Sequence, residues 1–223
     1  MKELSLREFF SLEEAFAEFT NYIPNTPEHK KVWSPKFADI LLHSCSAIDS
    51  ILRQNTDDKV TNYYERHSKD LSYRWVIFWG ALPSLVDPFL KWRNTKSYRK
   101  LPFWDAYNKL KHDRYKNLKL ATYSNALDSL GALLIIIIRT PDLLNTIIEA
   151  EIIQSNIKPI HDLVPEHKVS DDEITIETKH FSYLVFCNRK IRRKQRGPLF
   201  IGSERFSNYI AENYDFLKKY YKY

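Results

Sequence analysis

The segment YSNALDSLGALLIIIIR, Tyr123 to Arg139, is amphipathic in its first half and apolar on nearly every face beyond Leu130. A helix of that kind is satisfied only in a core, with other elements on all sides. The uninterrupted apolar run, Ala132 to Ile138, is far shorter than the roughly 18 residues a membrane span needs. The chain must therefore supply enough further amphipathic structure to surround this segment. At 223 residues and 43% apolar composition it has the material to do so in one large domain, or in one domain with an appendage.

Helical spacing appears where that requirement leads one to look. From Ser5 to Tyr22, the residues Leu6, Phe9, Phe10, Ala15, Phe16 and Phe19 recur at three- and four-residue steps, before Pro24 and Pro27 end the pattern. From Lys36 to Arg53, one stripe holds Phe37, Ile40, Leu41, Cys45, Ile48 and Leu52, and Asp49 and Arg53 are spaced for an i,i+4 pair. Leu101 to Arg114 turns Phe103, Trp104, Tyr107 and Leu110 inward. Thr140-Pro141 offers an N-cap and a first-turn proline for a further helix carrying Leu143, Leu144, Ile147, Ile148 and Ile152.

Between these, Gln54 to Lys69 reads as polar loop with room for a short helix. In Leu71 to Trp92 the alternation of Trp75, Ile77 and Trp79 is broken by Phe78. Pro83 and Pro88 forbid one long helix, so short helical pieces and buried loop are expected. After Asn156, Pro159, Pro165 and the acidic Asp171–Glu173 suggest a connector. Ile174 to Cys187 reads as a β-hairpin, and Ser203 as the cap of a last helix with Phe206, Ile210 and Leu217. The fold class expected is mainly α: about five helices bundled in 1–156, with a small α+β extension over 157–223.

Composition narrows the function. Gly80, Gly131, Gly197 and Gly202 are the only glycines, too dispersed for a phosphate loop or a dinucleotide fingerprint. Cys45 and Cys187, the only cysteines, cannot build a disulfide scaffold or a cysteine zinc site. The start, MKELSLREFF, has no continuous signal-peptide core, so a soluble cytoplasmic protein is expected.

Charge is segregated. Met1 to Lys30 holds three Lys/Arg against six Glu, whereas Lys91 to Leu120 holds ten Lys/Arg against two Asp. A second basic run, Arg189, Lys190, Arg192, Arg193, Lys194 and Arg196, contains no acid. Clustered cations gain by releasing the counterions of an anionic polymer, and nucleic acid is the commonest such partner. A solvated surface facing a self-complementary acidic region is the plainer alternative.

The most informative stretch is PFWDAYNKLKHDR, Pro102 to Arg114. Asn108 and His112 stand at i,i+4, so both project from one helix face, with Lys109, Lys111 and Arg114 close by. A histidine among cations suits metal-independent phosphodiester cleavage: imidazole can move a proton near neutral pH, and Arg can stabilise the charge of the transition state. The same residues would also make an ordinary solvated helix face.

Other residues offer less. His161, Asp162, Glu166 and His167 are of metal-ligand type, but the flanking prolines put them on a loop, where acidic linkers are commoner. His43 reads as a core-edge histidine that could also line the site of His112, and Cys45 reads as core. Trp75, Trp79, Trp92 and Trp104 could stack bases, though burial in the core explains them more simply. No cofactor and no metal are expected.

The order FADILLHSCSAIDSILR, WDAYNKLKHDR, short loop, SNALDSLGALLIIII resembles the HEPN-like helical domains of bacterial and archaeal defence and toxin systems. The resemblance covers about 36–153. It implies a dimeric helical bundle that pairs Arg and His across the dimer to cleave RNA. It also implies His112 as general acid/base, Arg114 and Lys111 on the scissile phosphate, and Asn108 orienting His112 or a ribose hydroxyl. A homodimer and an antitoxin or other partner protein would be the associates. The family pattern places Arg four to six residues before His; here His112 precedes Arg114. A non-catalytic scaffold that binds nucleic acid or protein is the competing expectation.

If the basic runs meet RNA, single-strand affinity will fall steeply with salt. Charge reversal at Arg192 and Arg193 will then weaken binding and flatten the salt slope with the melting temperature unchanged. Anisotropy titrations at several salt concentrations measure both quantities.

Overall fold

The computed structural model describes residues 2–140 and 175–184, together with Tyr209 and Glu212. In chain order these form helix α1 (Lys2–Thr20), helix α2 (Pro35–Leu52), helix α3 (Val60–Leu71), strands β1 (Val76–Trp79) and β2 (Pro83–Val86), helix α4 (Pro102–His112), the single turn α5 (Arg114–Asn117), helix α6 (Tyr123–Arg139), and strands β3 (Thr175–Glu177) and β4 (Phe181–Leu184). The protein is mostly helical with a small antiparallel sheet. No helix among the described residues is long and apolar enough to cross a membrane.

Local chemistry sets the helix starts. Ser34 caps α2, its Oγ accepting the Phe37 N–H at 3.1 Å, and Pro35 fills the first turn. Thr122 caps α6 in the same way through the Asn125 N–H at 3.2 Å. The long α6 is the centre of the core, as its composition requires. Every residue from Ser129 to Ile138 is buried, and α2 is its main partner, with α1 and α4 alongside. Each fully buried Leu or Ile there contributes about 1.5–3 kcal/mol. At the upper end of this core, Phe16 of α1 touches the rings of Phe37, Phe78 and Tyr123 at 5.8, 5.4 and 5.0 Å, joining two helices and the sheet to α6.

Two expectations are corrected. Residues 60–71, expected as polar loop with room for a short helix, are a regular helix of 12 residues: Tyr63, Tyr64 and Leu71 form its buried stripe. Residues 76–86, expected as short helical pieces and loop, are a β-hairpin, so the stretch 36–153 is not helical throughout. Phe78 does not break a strand; it sits in one that is buried on both faces, and such strands are apolar without alternation. Val76, Ile77 and Phe78 are all fully buried. Pro83 is compatible with the sheet because β2 is its edge strand, where a missing N–H costs no ladder bond.

The expected C-terminal hairpin is present as β3–β4, and it joins the first hairpin. The strand order is β2-β1-β4-β3, with Val76 opposite Tyr183 and Phe78 opposite Phe181. Trp79 Nε1 donates to Ser182 Oγ at 2.6 Å, and the Tyr209 ring lies 5.6 Å from that of Trp79. Acidic residues of α1 hold the turn of this hairpin. Buried Glu13 accepts from the Thr178 hydroxyl and, at 2.9 Å, from the His180 N–H, while Lys179 Nζ reaches Glu14 at 2.8 Å. Burial lifts the Glu13 carboxyl above the ordinary range, against those two hydrogen bonds. The helix expected after Thr140-Pro141, the 157–173 connector and the bulk of the last helix lie outside the described residues.

Gly131 sets how closely α6 approaches the sheet. A Cβ there would stand 2.8 Å from Val86 Cγ1 and 3.2 Å from Val76 Cγ2. Both valines are buried and branched at Cβ, so neither can swing aside. Gly131→Ala should therefore lower stability by about 1–2 kcal/mol despite the better helix propensity of alanine, as measured by urea unfolding.

Candidate functional site

The helix expected to run from Leu101 to Arg114 is broken at Asp113. Its backbone is extended (φ −151°, ψ 92°), and its carboxylate accepts the Lys116 N–H at 3.1 Å, making it the N-cap of α5. Asn117 seals the break: its Nδ2 donates to the carbonyls of Lys109 at 3.0 Å and Asp113 at 2.8 Å. His112 thus ends one helix and Arg114 opens the next.

Asn108 and His112 are both exposed on α4. Lys109 pairs with Asp105 at 2.8 Å, and Lys111 places its Nζ 5.6 Å above the Tyr107 ring. Arg114 is engaged with α2: Nη2 donates to Asp39 Oδ1 at 2.6 Å and to the Pro35 carbonyl at 3.4 Å. The structure thus brings Asn108, Lys111 and His112 to one exposed helix end and ties Arg114 to the start of α2. The second basic run, Arg189, Lys190, Arg192, Arg193, Lys194 and Arg196, lies outside the described residues, as do His161, Asp162, Glu166 and His167.

The remaining candidates resolve simply. His43 is exposed with Nδ1 3.2 Å from Glu8 Oε1. Cys45 is fully buried, and burial pushes its thiol well above the ordinary range. Asp49 forms the expected pair with Arg53 and also accepts the Tyr63 hydroxyl at 2.5 Å. Trp75, Trp92 and Trp104 are at most 5% exposed and belong to the core.

Two further aromatics are on the surface. Tyr115 is 93% exposed and Trp33 44% exposed. Residues 32–34 lie antiparallel to 121–123: Tyr123 N–H donates to the Val32 carbonyl at 2.8 Å and Ser34 N–H to the Ala121 carbonyl at 3.3 Å. The signal available in sequence was local, an aromatic with cations as immediate neighbours (Arg114-Tyr115-Lys116) at a position no apolar stripe needs.

A second cluster of polar groups is internal. Asp87, after β2, pairs with Arg93 at 2.6 Å through one oxygen, while its Oδ1 is buried without a hydrogen-bond partner. Burial pushes the Asp87 carboxyl up to about 6, although Arg93 opposes the shift. Asp128, one turn before Gly131 on α6, is pushed up to about 7 by the packing around its carboxyl and by the Asp87 charge, with Lys30 opposing. An Asp in the unfolded chain titrates near ~3.9, so the unfolded state releases its proton first as pH rises. The stability these groups contribute is complete below about pH 4 and is lost between there and about pH 7. Melting temperature should fall across that window, and Asp128→Asn should flatten the fall and melt higher than the parent at pH 8.

Compared with known proteins, the chain matches no family model, no curated protein and no solved structure.

Proposed function

We propose that this chain is an RNA-directed HEPN-like protein that cleaves RNA without a metal, as a cytoplasmic homodimer in a defence or toxin system. In this reading the helices form a bundle of about five, and the C-terminal hairpin and last helix are its α+β extension. The observation that carries it is His112, exposed at the end of α4 with no hydrogen-bond or ion-pair partner among the described residues. Around it, Lys111, Lys116 and Lys119 are exposed and without a carboxylate partner there. A histidine kept for structure is expected to hold a backbone or side-chain partner; one kept for proton transfer must be open to substrate.

His112 takes the proton of a ribose 2′-hydroxyl as that oxygen attacks the adjacent phosphorus. The 5′-oxygen leaves and receives a proton from the second His112 of the dimer, yielding a 2′,3′-cyclic phosphate and a 5′-hydroxyl. Lys111 and Arg114 hold the phosphate, and Asn108 orients the imidazole or the ribose. The ion pair of Arg114 with Asp39 favours a second reading, a nucleic-acid-binding scaffold without cleavage, because it leaves that guanidinium largely compensated.

His112→Ala should abolish cleavage of single-stranded RNA and leave the melting temperature within about 1 °C of the parent, since it opens no cavity and strands no buried group. Arg114→Ala should be equally inactive, and chelators without effect. An uncleaved RNA that is nonetheless bound by the parent would select the scaffold reading.

A further inference from the structure

Tyr115 stands outside the core, and Trp33 leaves nearly half of its surface in solvent. Tyr115 has no ring or hydrogen-bond partner among the described residues, and at 93% exposure it contributes almost nothing to the core. Trp33 is likewise without a ring partner among them, yet its backbone is fixed by the two hydrogen bonds that tie 32–34 to 121–123. The segments that carry them are tied together. Arg114, immediately before Tyr115, is bound to the Pro35 carbonyl and to Asp39, and Trp33 lies two residues before Pro35. The chain from Arg114 to Thr122 is therefore anchored on the start of α2 at both of its ends, with Tyr115 near one and Trp33 opposite the other.

The charge on this surface is predominantly positive. Lys31, Lys36, Lys116 and Lys119 are exposed and have no carboxylate partner among the described residues. The two local carboxylates are already engaged, Asp39 by Arg114 and Asp113 by the Lys116 N–H that it caps. Exposed aromatic faces among uncommitted cations are the elements with which proteins hold single strands: bases stack on the rings and phosphates meet the lysines. A duplex cannot use the rings, because its base faces are already stacked on one another.

We infer that Trp33 and Tyr115 form a base-stacking platform for single-stranded RNA, with Lys36, Lys116 and Lys119 as its phosphate contacts. The inference rests on the RNA-directed reading above and gives its substrate class: an unpaired strand. A strand stacked on Tyr115 has its backbone beside the α4–α5 break, where His112 stands three residues away.

The test is anisotropy of the full chain with a fluorescein-labelled, unstructured single-stranded RNA of about a dozen nucleotides, and with the same sequence as a duplex, at about 50 mM salt. The single strand should bind more tightly than the duplex. Tyr115→Ala and Trp33→Ala should each weaken single-strand binding by roughly 5- to 100-fold. The salt slope should be unchanged, since no phosphate contact is lost, whereas Lys116→Glu with Lys119→Glu should flatten it. Tyr115→Phe and Trp33→Phe, which keep the ring, should retain most of the affinity and verify that the fold is intact. If the parent binds single-stranded RNA and the alanine variants bind it equally well, the platform is overturned and the RNA-directed reading stands. Equal affinity for the duplex has the same consequence. A parent that binds no RNA at low salt overturns both, and leaves the aromatic surface to a protein partner.

Discussion

The second half of α6 has no polar side, and this single fact organises the molecule. A helix that is apolar all round must be covered all round, and a chain of this size cannot do that with helices packed on one flank. Here α2 and α4 take part of the circumference, α1 another, and the β1–β2 hairpin reaches the face around Gly131. Because glycine has no side chain at that point, Val76 and Val86 come within contact of the helix backbone, and the sheet becomes a wall of the core. The sheet in turn depends on the C-terminal hairpin, since β4 completes the hydrogen bonding of β1 on its second edge.

Electrostatics fastens what packing brings together. Glu13 and Glu14 hold the β3–β4 turn across 165 to 167 residues of sequence, so the acidic character of the N-terminal helix is partly spent within the fold. Asp70 plays a similar part between α3 and α6. Burial raises its carboxyl, yet Arg74 at 2.7 Å and Arg139 at 2.8 Å together hold it below the ordinary range. The basic residues from Lys91 onward are treated differently. Arg93 and Arg114 are used internally, whereas Lys111, Lys116 and Lys119 remain at the surface. That division gives the α4–α5 break its positive character and concentrates it beside the exposed Tyr115.

The break itself is the link between fold and proposed chemistry. Asp113 would be an ordinary residue on a continuous helix; as a cap it turns the chain, sends Arg114 to α2 and Tyr115 into solvent, and leaves His112 at an open end. A uniform helix through Arg114 would have carried these side chains around one cylinder instead of distributing them over a junction.

The amino-acid sequence by itself determined the helices with clean stripes, α1, α2, α4 and α6, and the central place of α6, because helical periodicity and all-round apolarity are local properties. It also determined the Asp49–Arg53 pair and the presence of a late hairpin. It left α3 obscure because that stripe is built from Tyr63 and Tyr64, whose hydroxyls make a buried face look polar. The β1 strand was obscure for the opposite reason: burial on both faces erases alternation, and only its neighbours β2 and β4 reveal it as a strand. At the site, Asn108 and His112 on one polar face, flanked by Lys111, were legible from spacing alone; the exposure of His112 was not. That Arg114 would be drawn to Asp39, and that Trp33 would pair with Thr122, depended on segments about 75 or more residues apart being pressed together around α6. No local rule contains that information; the tertiary structure decided it, through the burial of one helix that could not be left exposed.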